Sequence, residues 1–106
     1  MRILFDQGTP APLRLLLSEH DVETAYERGW SSLQNGQLIA VAEAAGFTVF
    51  VTTDRNLKYQ QNLAVRSMAI VVLLTTSWPR IKAASVPILI AVNESCTGGY
   101  VEVAIP

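Results

Sequence analysis

The stretch "TVFVTTDRN", residues 48–56, decides the fold, because it joins a run of β-branched and aromatic residues directly to an aspartate. Such a run is typical of a strand buried on both faces, and the residues after it favour a turn. The first residues, "MRILFDQGTP", have the same form: a short apolar run, then Asp6, then a turn. We therefore predict two strands, over 2–5 and 48–53, that each end beside a carboxylate, Asp6 and Asp54.

Further strands and helices are predicted to alternate along the chain. The pattern of apolar residues predicts three more strands, over 20–26, 68–74 and 100–105, the last of them at an edge of the sheet. Thr9 as N-cap and Pro10 at the first helical position predict a helix over 10–18 with its leucines facing inward. Helices are also predicted in "QLIAVAEAAGF", where Gly46 ends the helix, and in the polar segment "LKYQQNLAV". A further helix is predicted from Ser77 or Trp78 up to an interruption at Pro87. The segment after it, "ILIAVNES", fits a second helix or another structure.

This alternation predicts an α/β fold in a single domain over 1–106: a three-layer α/β/α sandwich with a mostly parallel, five-stranded sheet. In a flavodoxin-like strand order, ligands bind beyond the carboxyl ends of the first and third strands. Asp6 and Asp54 end those two strands, so we predict that they form one site. The alternative is that each aspartate only caps its own turn.

Composition excludes several classes of protein. Half of the 106 residues are hydrophobic and 16% are charged, which excludes a disordered chain. No apolar stretch reaches the length of a membrane helix, and a single cysteine, Cys96, excludes an internal disulfide. We expect a cytoplasmic protein without a membrane partner.

Charge is unevenly distributed, although the net charge is only −1. Residues 1–54 hold seven acids and three bases, whereas residues 55–82 hold five bases and no acid. The basic segment indicates a phosphate-bearing partner, with a solvated helix face as the alternative.

Two ionised carboxylates in close proximity repel each other unless one is protonated or a cation lies between them. Mg²⁺ suits such a pair, because it prefers oxygen ligands, needs only one or two protein carboxylates and accepts phosphate oxygens. A metal there can activate a water and neutralise charge on a phosphate. Arg55 and Lys58 would then contact a nucleic-acid backbone. Thr52 could add a hydroxyl to the site and Asn56 a neutral ligand, or the two residues could serve only the strand and the turn. Asn35 is a good N-cap, and Glu43 is expected on an exposed helix face.

Four segments resemble the small PIN-like proteins, a family of domains of unknown function: "MRILFDQGTP", "NGQLIAVAEAAGF", "FVTTDRNLKYQQNL" and "AIVVLLTTSWPRI". The resemblance implies an α/β/α sandwich and a Mg²⁺- or Mn²⁺-dependent ribonuclease, as in the larger PIN domains, many of which are toxins of toxin–antitoxin pairs. Asp6 and Asp54 match two metal-binding acids of the family, and Thr52 matches the hydroxyl residue before the second. Two further acids of the family are replaced here by amides, at Asn35–Gln37 and at Asn56.

The resemblance leads to two hypotheses. In the first, the protein is a toxin-like ribonuclease in which Asp6 and Asp54 are catalytic and bind the metal. Asn35, Gln37, Thr52 and Asn56 would surround them; Arg55, Lys58 and Arg66 would bind RNA; and an antitoxin protein would be the partner. In the second, the site is catalytically weakened and the protein is a module that binds RNA or a partner protein. An unrelated flavodoxin-like phosphoacceptor domain is a third possibility, against which stands the lack of an acid next to Asp6. Residues 86–92, if helical, would offer an apolar surface for a homodimer.

Overall fold

The structure, a computed structural model, describes residues 1–57 and 67–106. The strands are β1 (Arg2–Phe5), β2 (Asp21–Thr24), β3 (Val49–Thr52), β4 (Ala69–Leu73) and β5 (Tyr100–Val103). The helices are a 3₁₀ helix (Ala11–Leu17), α1 (Asn35–Ala44), α2 (Trp78–Ala83) and α3 (Ser85–Asn93). The polar helix predicted in "LKYQQNLAV" lies, from residue 58 onward, outside the described residues.

The five strands form one sheet in the order β2-β1-β3-β4-β5, and every neighbouring pair is parallel. This is the order on which the predicted position of the site depends, because the winding of the chain reverses between β1 and β3. Phe5 pairs with Val51 in the register of these two strands. Their carboxyl ends therefore lie next to each other at the same edge of the sheet.

Helices cover both faces of the sheet and produce two separate cores. Ile3 and Phe5 of β1 pack on the face that carries the 3₁₀ helix, α2 and α3. Leu4 of the same strand and Phe50 of β3 pack on the opposite face, against α1. This alternation along each strand confirms the predicted α/β sandwich of three layers.

The first helix differs from its prediction. Residues Ala11–Leu17 form a 3₁₀ helix rather than an α-helix, and Pro10, not Thr9, precedes it as the cap. Thr9 is not available as a cap because its hydroxyl and its N–H bind Asp6. Leu13 and Leu17 face the core as expected, whereas Leu15 is 74% exposed.

The ambiguous segment after Pro87 is helical. The helical conformation is interrupted at Ala84, between α2 and α3, and Pro87 lies in the first turn of α3. A proline is accommodated there because the N–H groups of a first turn have no partner within the helix. None of the helices in the described part of the chain is long and apolar enough to span a membrane.

Two isoleucines of α3 allow a matched test of this packing. Ile88 is fully buried against the sheet, whereas Ile90 is 50% exposed. We expect Ile88→Ala to lower the free energy of unfolding by roughly 2–5 kcal/mol, because it leaves a cavity in the core. Ile90→Ala should change it by less than about 1 kcal/mol. Urea denaturation of both variants measures this, and equal losses would contradict the orientation of α3.

Candidate functional site

The alternation of side chains in β1 and β3 directs two polar residues toward the same face of the sheet. Asp6 follows β1, and its N–H donates to the carbonyl of Val51 at 3.3 Å, which extends the pairing of the two strands by one residue. Thr52, the last residue of β3, is therefore the neighbour of Asp6. Both are buried, with Asp6 6% exposed and Thr52 fully enclosed.

The carboxylate of Asp6 is held by neutral donors on both of its oxygens. Oδ1 accepts hydrogen bonds from the N–H of Thr9 at 3.1 Å and from its hydroxyl at 2.7 Å. The same hydroxyl also lies 3.0 Å from the carbonyl oxygen of Val51, so its single proton has two acceptors. Oδ2 accepts a bond from the hydroxyl of Thr52 at 2.5 Å.

Thr52 connects Asp6 to Asp54. While its hydroxyl donates to Asp6, the same oxygen accepts a bond from the N–H of Asp54 at 3.0 Å. Asp54 is half-buried; its Oδ2 accepts from the amide of Asn35 at 3.0 Å and its Oδ1 from the N–H of Asn56 at 3.0 Å. A continuous chain of hydrogen bonds thus runs from the end of β1 through β3 to the first residue of α1.

Burial dominates the electrostatics of Asp6. Loss of contact with water raises the pKa of this carboxyl, and the hydrogen bonds from Thr52 and Thr9 oppose the rise without cancelling it. The negative charge of Asp54 adds a smaller increase to the pKa of Asp6, which indicates that the two carboxylates interact. In the described residues, neither aspartate forms an ion pair with a basic side chain.

Asn35 is not the N-cap that its sequence position indicates. Gln34, not Asn35, is the N-cap of α1, and Gln37 supports this cap by accepting a bond from the N–H of Gln34 at 3.4 Å. The side chain of Asn35 is therefore available for Asp54. Glu43, expected on an exposed helix face, is partly buried at the other end of α1, where it accepts a bond from the hydroxyl of Ser67.

The predicted phosphate contacts are only partly described. Arg55 is exposed beside Asp54, and its guanidinium donates to the carbonyl of Leu74, at the end of β4. Lys58 and Arg66 lie outside the described residues. Arg55 is thus held at the same edge of the sheet as the two aspartates.

The importance of Thr9 was not predicted. Its position before Pro10 is typical of a helix cap, but its hydroxyl contacts Asp6 and also Val51, which is distant in sequence. Gly8, in the same turn, lies so close to β3 that a Cβ would come within 2.6 Å of the Thr53 hydroxyl. A small residue and a hydroxyl residue, at the second and third positions after a strand-ending aspartate, are the signal that could have identified this turn.

An open cleft of about 750 Å³ adjoins Asp6 on the side away from β3. One wall is the 3₁₀ helix, with Pro12 and Leu15, and the other is the segment after β2, with Tyr26 and Glu27. The site therefore has an approach from solvent next to a buried carboxylate.

The metal-binding capacity of the site is limited by its number of acids. In the described residues, no group of three or more His, Cys, Asp or Glu side chains is arranged to hold a metal ion. Asp6 and Asp54, with four carboxylate oxygens and neutral partners, provide ligands of the type that one Mg²⁺ or Mn²⁺ accepts together with waters. Asn35 and Asn56 bind Asp54 and add no charge.

The raised pKa of Asp6 predicts a specific pH dependence of stability. A carboxyl whose pKa is higher in the folded state binds its proton more tightly when folded, so stability falls as pH rises from the unfolded pKa through the folded one. Each unit of increase in the pKa costs about 1.4 kcal/mol at neutral pH. Asp6→Asn should remove this loss of stability. Denaturation without added metal should therefore show a smaller decline in the free energy of unfolding between pH 4 and 7 than in wild type. Glu19→Gln, which changes an exposed side chain, is the control; a wild-type pH dependence in Asp6→Asn would contradict the assignment.

Comparisons of this chain with protein-family models, with curated proteins and with solved structures found no match. The functional interpretation therefore depends on the geometry of the site, and the likeness of the sequence motifs to PIN-like proteins stays a prediction.

Proposed function

We propose that the protein is a metal-dependent ribonuclease of PIN-like type that binds one Mg²⁺ or Mn²⁺ through Asp6 and Asp54. One observation carries the proposal: two strand-ending carboxylates are joined through the Thr52 hydroxyl, and no basic side chain of the described residues pairs with either. A buried carboxylate beside a second one is costly unless a cation or a proton compensates the charge.

The donor set fits a single hard cation. Each of the four carboxylate oxygens accepts one or two hydrogen bonds from neutral groups, and these bonds orient the carboxylates without neutralising them. Mg²⁺ is commonly bound by one or two carboxylates while waters complete its shell. When bound, the ion supplies a Lewis acid that lowers the pKa of a water and stabilises charge on a phosphate.

The side chains around the aspartates have positioning roles in this proposal. Thr9 and Thr52 hold Asp6 in one orientation, and Asn35 and the turn at Asn56 hold Asp54. Arg55 extends the site along the edge of the sheet, where a guanidinium can contact an RNA phosphate. Lys58 and Arg66, which lie outside the described residues, belong to the same proposal. We expect RNA to be cleaved in the cytoplasm, and an antitoxin protein would cover this edge of the sheet.

The second candidate is a module that binds RNA or a protein without cleaving RNA. It is favoured by Asn35 and Asn56, since the side-chain amide of Asn35 and the backbone N–H of Asn56 donate hydrogen bonds to Asp54 but neither residue supplies charge for a second metal. The two candidates differ in whether the Asp6–Asp54 pair alone binds a metal strongly enough for catalysis.

Metal binding is tested by calorimetric titration with Mn²⁺. We expect one saturable site in the wild type, and at least tenfold weaker binding in Asp6→Asn and in Asp54→Asn, since each loses half of the charge. Glu43→Gln, at the end of α1 opposite to Asn35, should bind Mn²⁺ as the wild type does. Affinity should also fall on acidification, starting at a higher pH than for an ordinary aspartate, because the pKa of Asp6 is raised. Equal binding by all four proteins would refute the site, and a wild type that does not bind Mn²⁺ would refute the nuclease.

Restoring an acid separates the two candidates. Asn35→Asp places a third carboxylate beside Asp54, and we expect it to increase Mn²⁺ affinity about tenfold and to increase the rate of RNA cleavage. Asn35→Ala removes the hydrogen bond to Asp54 without adding charge, and serves as the control. An Asn35→Asp variant that binds Mn²⁺ more tightly, yet still leaves single-stranded RNA intact, would favour the binding module.

A further inference from the structure

The cleft beside Asp6 contains exposed apolar side chains that have no role in the proposed metal site. Tyr26 and Leu15 are 81% and 74% exposed, the highest values for large hydrophobic residues in the described part of the chain, and both line this cleft. Exposing an aromatic ring and a leucine on opposite walls of a cleft is unfavourable in water. Their common location indicates a ligand with an apolar face.

The described residues that line the cleft leave no unengaged basic side chain to bind a phosphate within it. Among the described residues that line it, the charged side chains are Asp6, Arg14 and Glu27. Arg14 is engaged by Glu27 through both terminal nitrogens of its guanidinium, and its Nε is buried. The charge that remains is the carboxylate of Asp6, which the metal ion of the proposed function would compensate. A neutral ring is therefore the better occupant.

The ion pair of Arg14 and Glu27 also fixes the width of the cleft. Arg14 belongs to the 3₁₀ helix and Glu27 to the segment after β2, so the pair joins the two walls. Glu27 is held further by the N–H of Thr24 at 3.0 Å, and these donors lower its pKa to about 2. The walls are thus held in place before a ligand arrives, which reduces the entropy that binding costs.

We propose that the cleft binds an unpaired base of the RNA strand, stacked on Tyr26 and packed against Leu15, while the adjoining phosphate lies at the Asp6–Asp54 site. This inference rests on the proposed function, because the cleft opens onto Asp6. Its volume of about 750 Å³ is within the range of small-molecule sites. Single-stranded RNA is recognised largely by stacking of splayed bases on aromatic rings, without a requirement for base sequence.

The test uses a six-nucleotide single-stranded RNA that carries one 2-aminopurine, whose fluorescence is quenched when the base stacks. The titration is done with Mn²⁺ present, on the wild type, Tyr26→Ala, Tyr26→Phe and Val86→Ala. Tyr26→Ala should bind about tenfold more weakly and lose the stacking quench, whereas Tyr26→Phe should retain both. Val86→Ala removes an exposed apolar side chain that does not line the cleft and should behave as the wild type.

Two controls identify the ligand. A duplex of the same sequence should compete poorly, and 2-aminopurine riboside monophosphate should bind at least tenfold more weakly than the hexamer. Equal binding of the monophosphate would overturn the proposal in favour of a free nucleotide, and equal binding of the duplex would overturn the stacked base.

Failure of this inference can be distinguished from failure of the proposed function. Calorimetry with Mn²⁺ reports on Asp6 and Asp54 and should give the same affinity in Tyr26→Ala as in the wild type. If Tyr26→Ala binds the RNA as the wild type does, the base site is refuted while the metal site stands. If the wild type binds Mn²⁺ but no RNA, the base site and the RNA substrate are both refuted.

Discussion

The hydroxyl of Thr52 is the group on which the arrangement of the site depends. It donates to the carboxylate of Asp6 at 2.5 Å and accepts the N–H of Asp54 at 3.0 Å, and so relates two carboxylates that are distant in sequence. This contact exists because β1 and β3 are parallel neighbours with Phe5 opposite Val51. A shift of the register by one residue would turn Thr52 toward the other face of the sheet and separate the two aspartates. The pairing of β1 with β3 therefore determines both the topology of the fold and the geometry of the site.

Burial of Asp6 has a cost that the hydrogen bonds of Thr9 and Thr52 only partly offset. The pKa of Asp6 remains raised despite them, mainly because the carboxyl is shielded from water. Within the described residues, the surroundings supply donors that orient the carboxylate but no basic side chain that neutralises it. Such an arrangement is unfavourable for stability alone and is typical of sites where a ligand completes the charge balance. In our proposal, that ligand is the metal ion.

Much of the fold follows from local sequence patterns, because a strand buried on both faces needs an unbroken apolar run. β1, β3 and β4 are such runs, and their alternation with helices was enough to predict the α/β fold and the shared edge of Asp6 and Asp54. The predictions failed where a residue has a partner far away in the chain. Thr9 has the local appearance of a helix cap, yet its hydroxyl contacts Val51. Gln34, not Asn35, is the N-cap of α1, and Asn35 contacts Asp54, close to which our first hypothesis places it. The cleft was not predictable either, since periodicity alone does not reveal that Leu15 of a 3₁₀ helix faces solvent.

We propose that the ends of β1 and β3 form one metal site. The most direct measurement is anomalous diffraction at the manganese edge from crystals soaked in MnCl₂. We expect a single strong peak within bonding distance of carboxylate oxygens of both Asp6 and Asp54, in a crystal in which Thr52 still bridges the two residues. A peak located elsewhere, or no peak while Asp6 and Asp54 remain ordered, would contradict it and would leave the two aspartates as caps of separate turns.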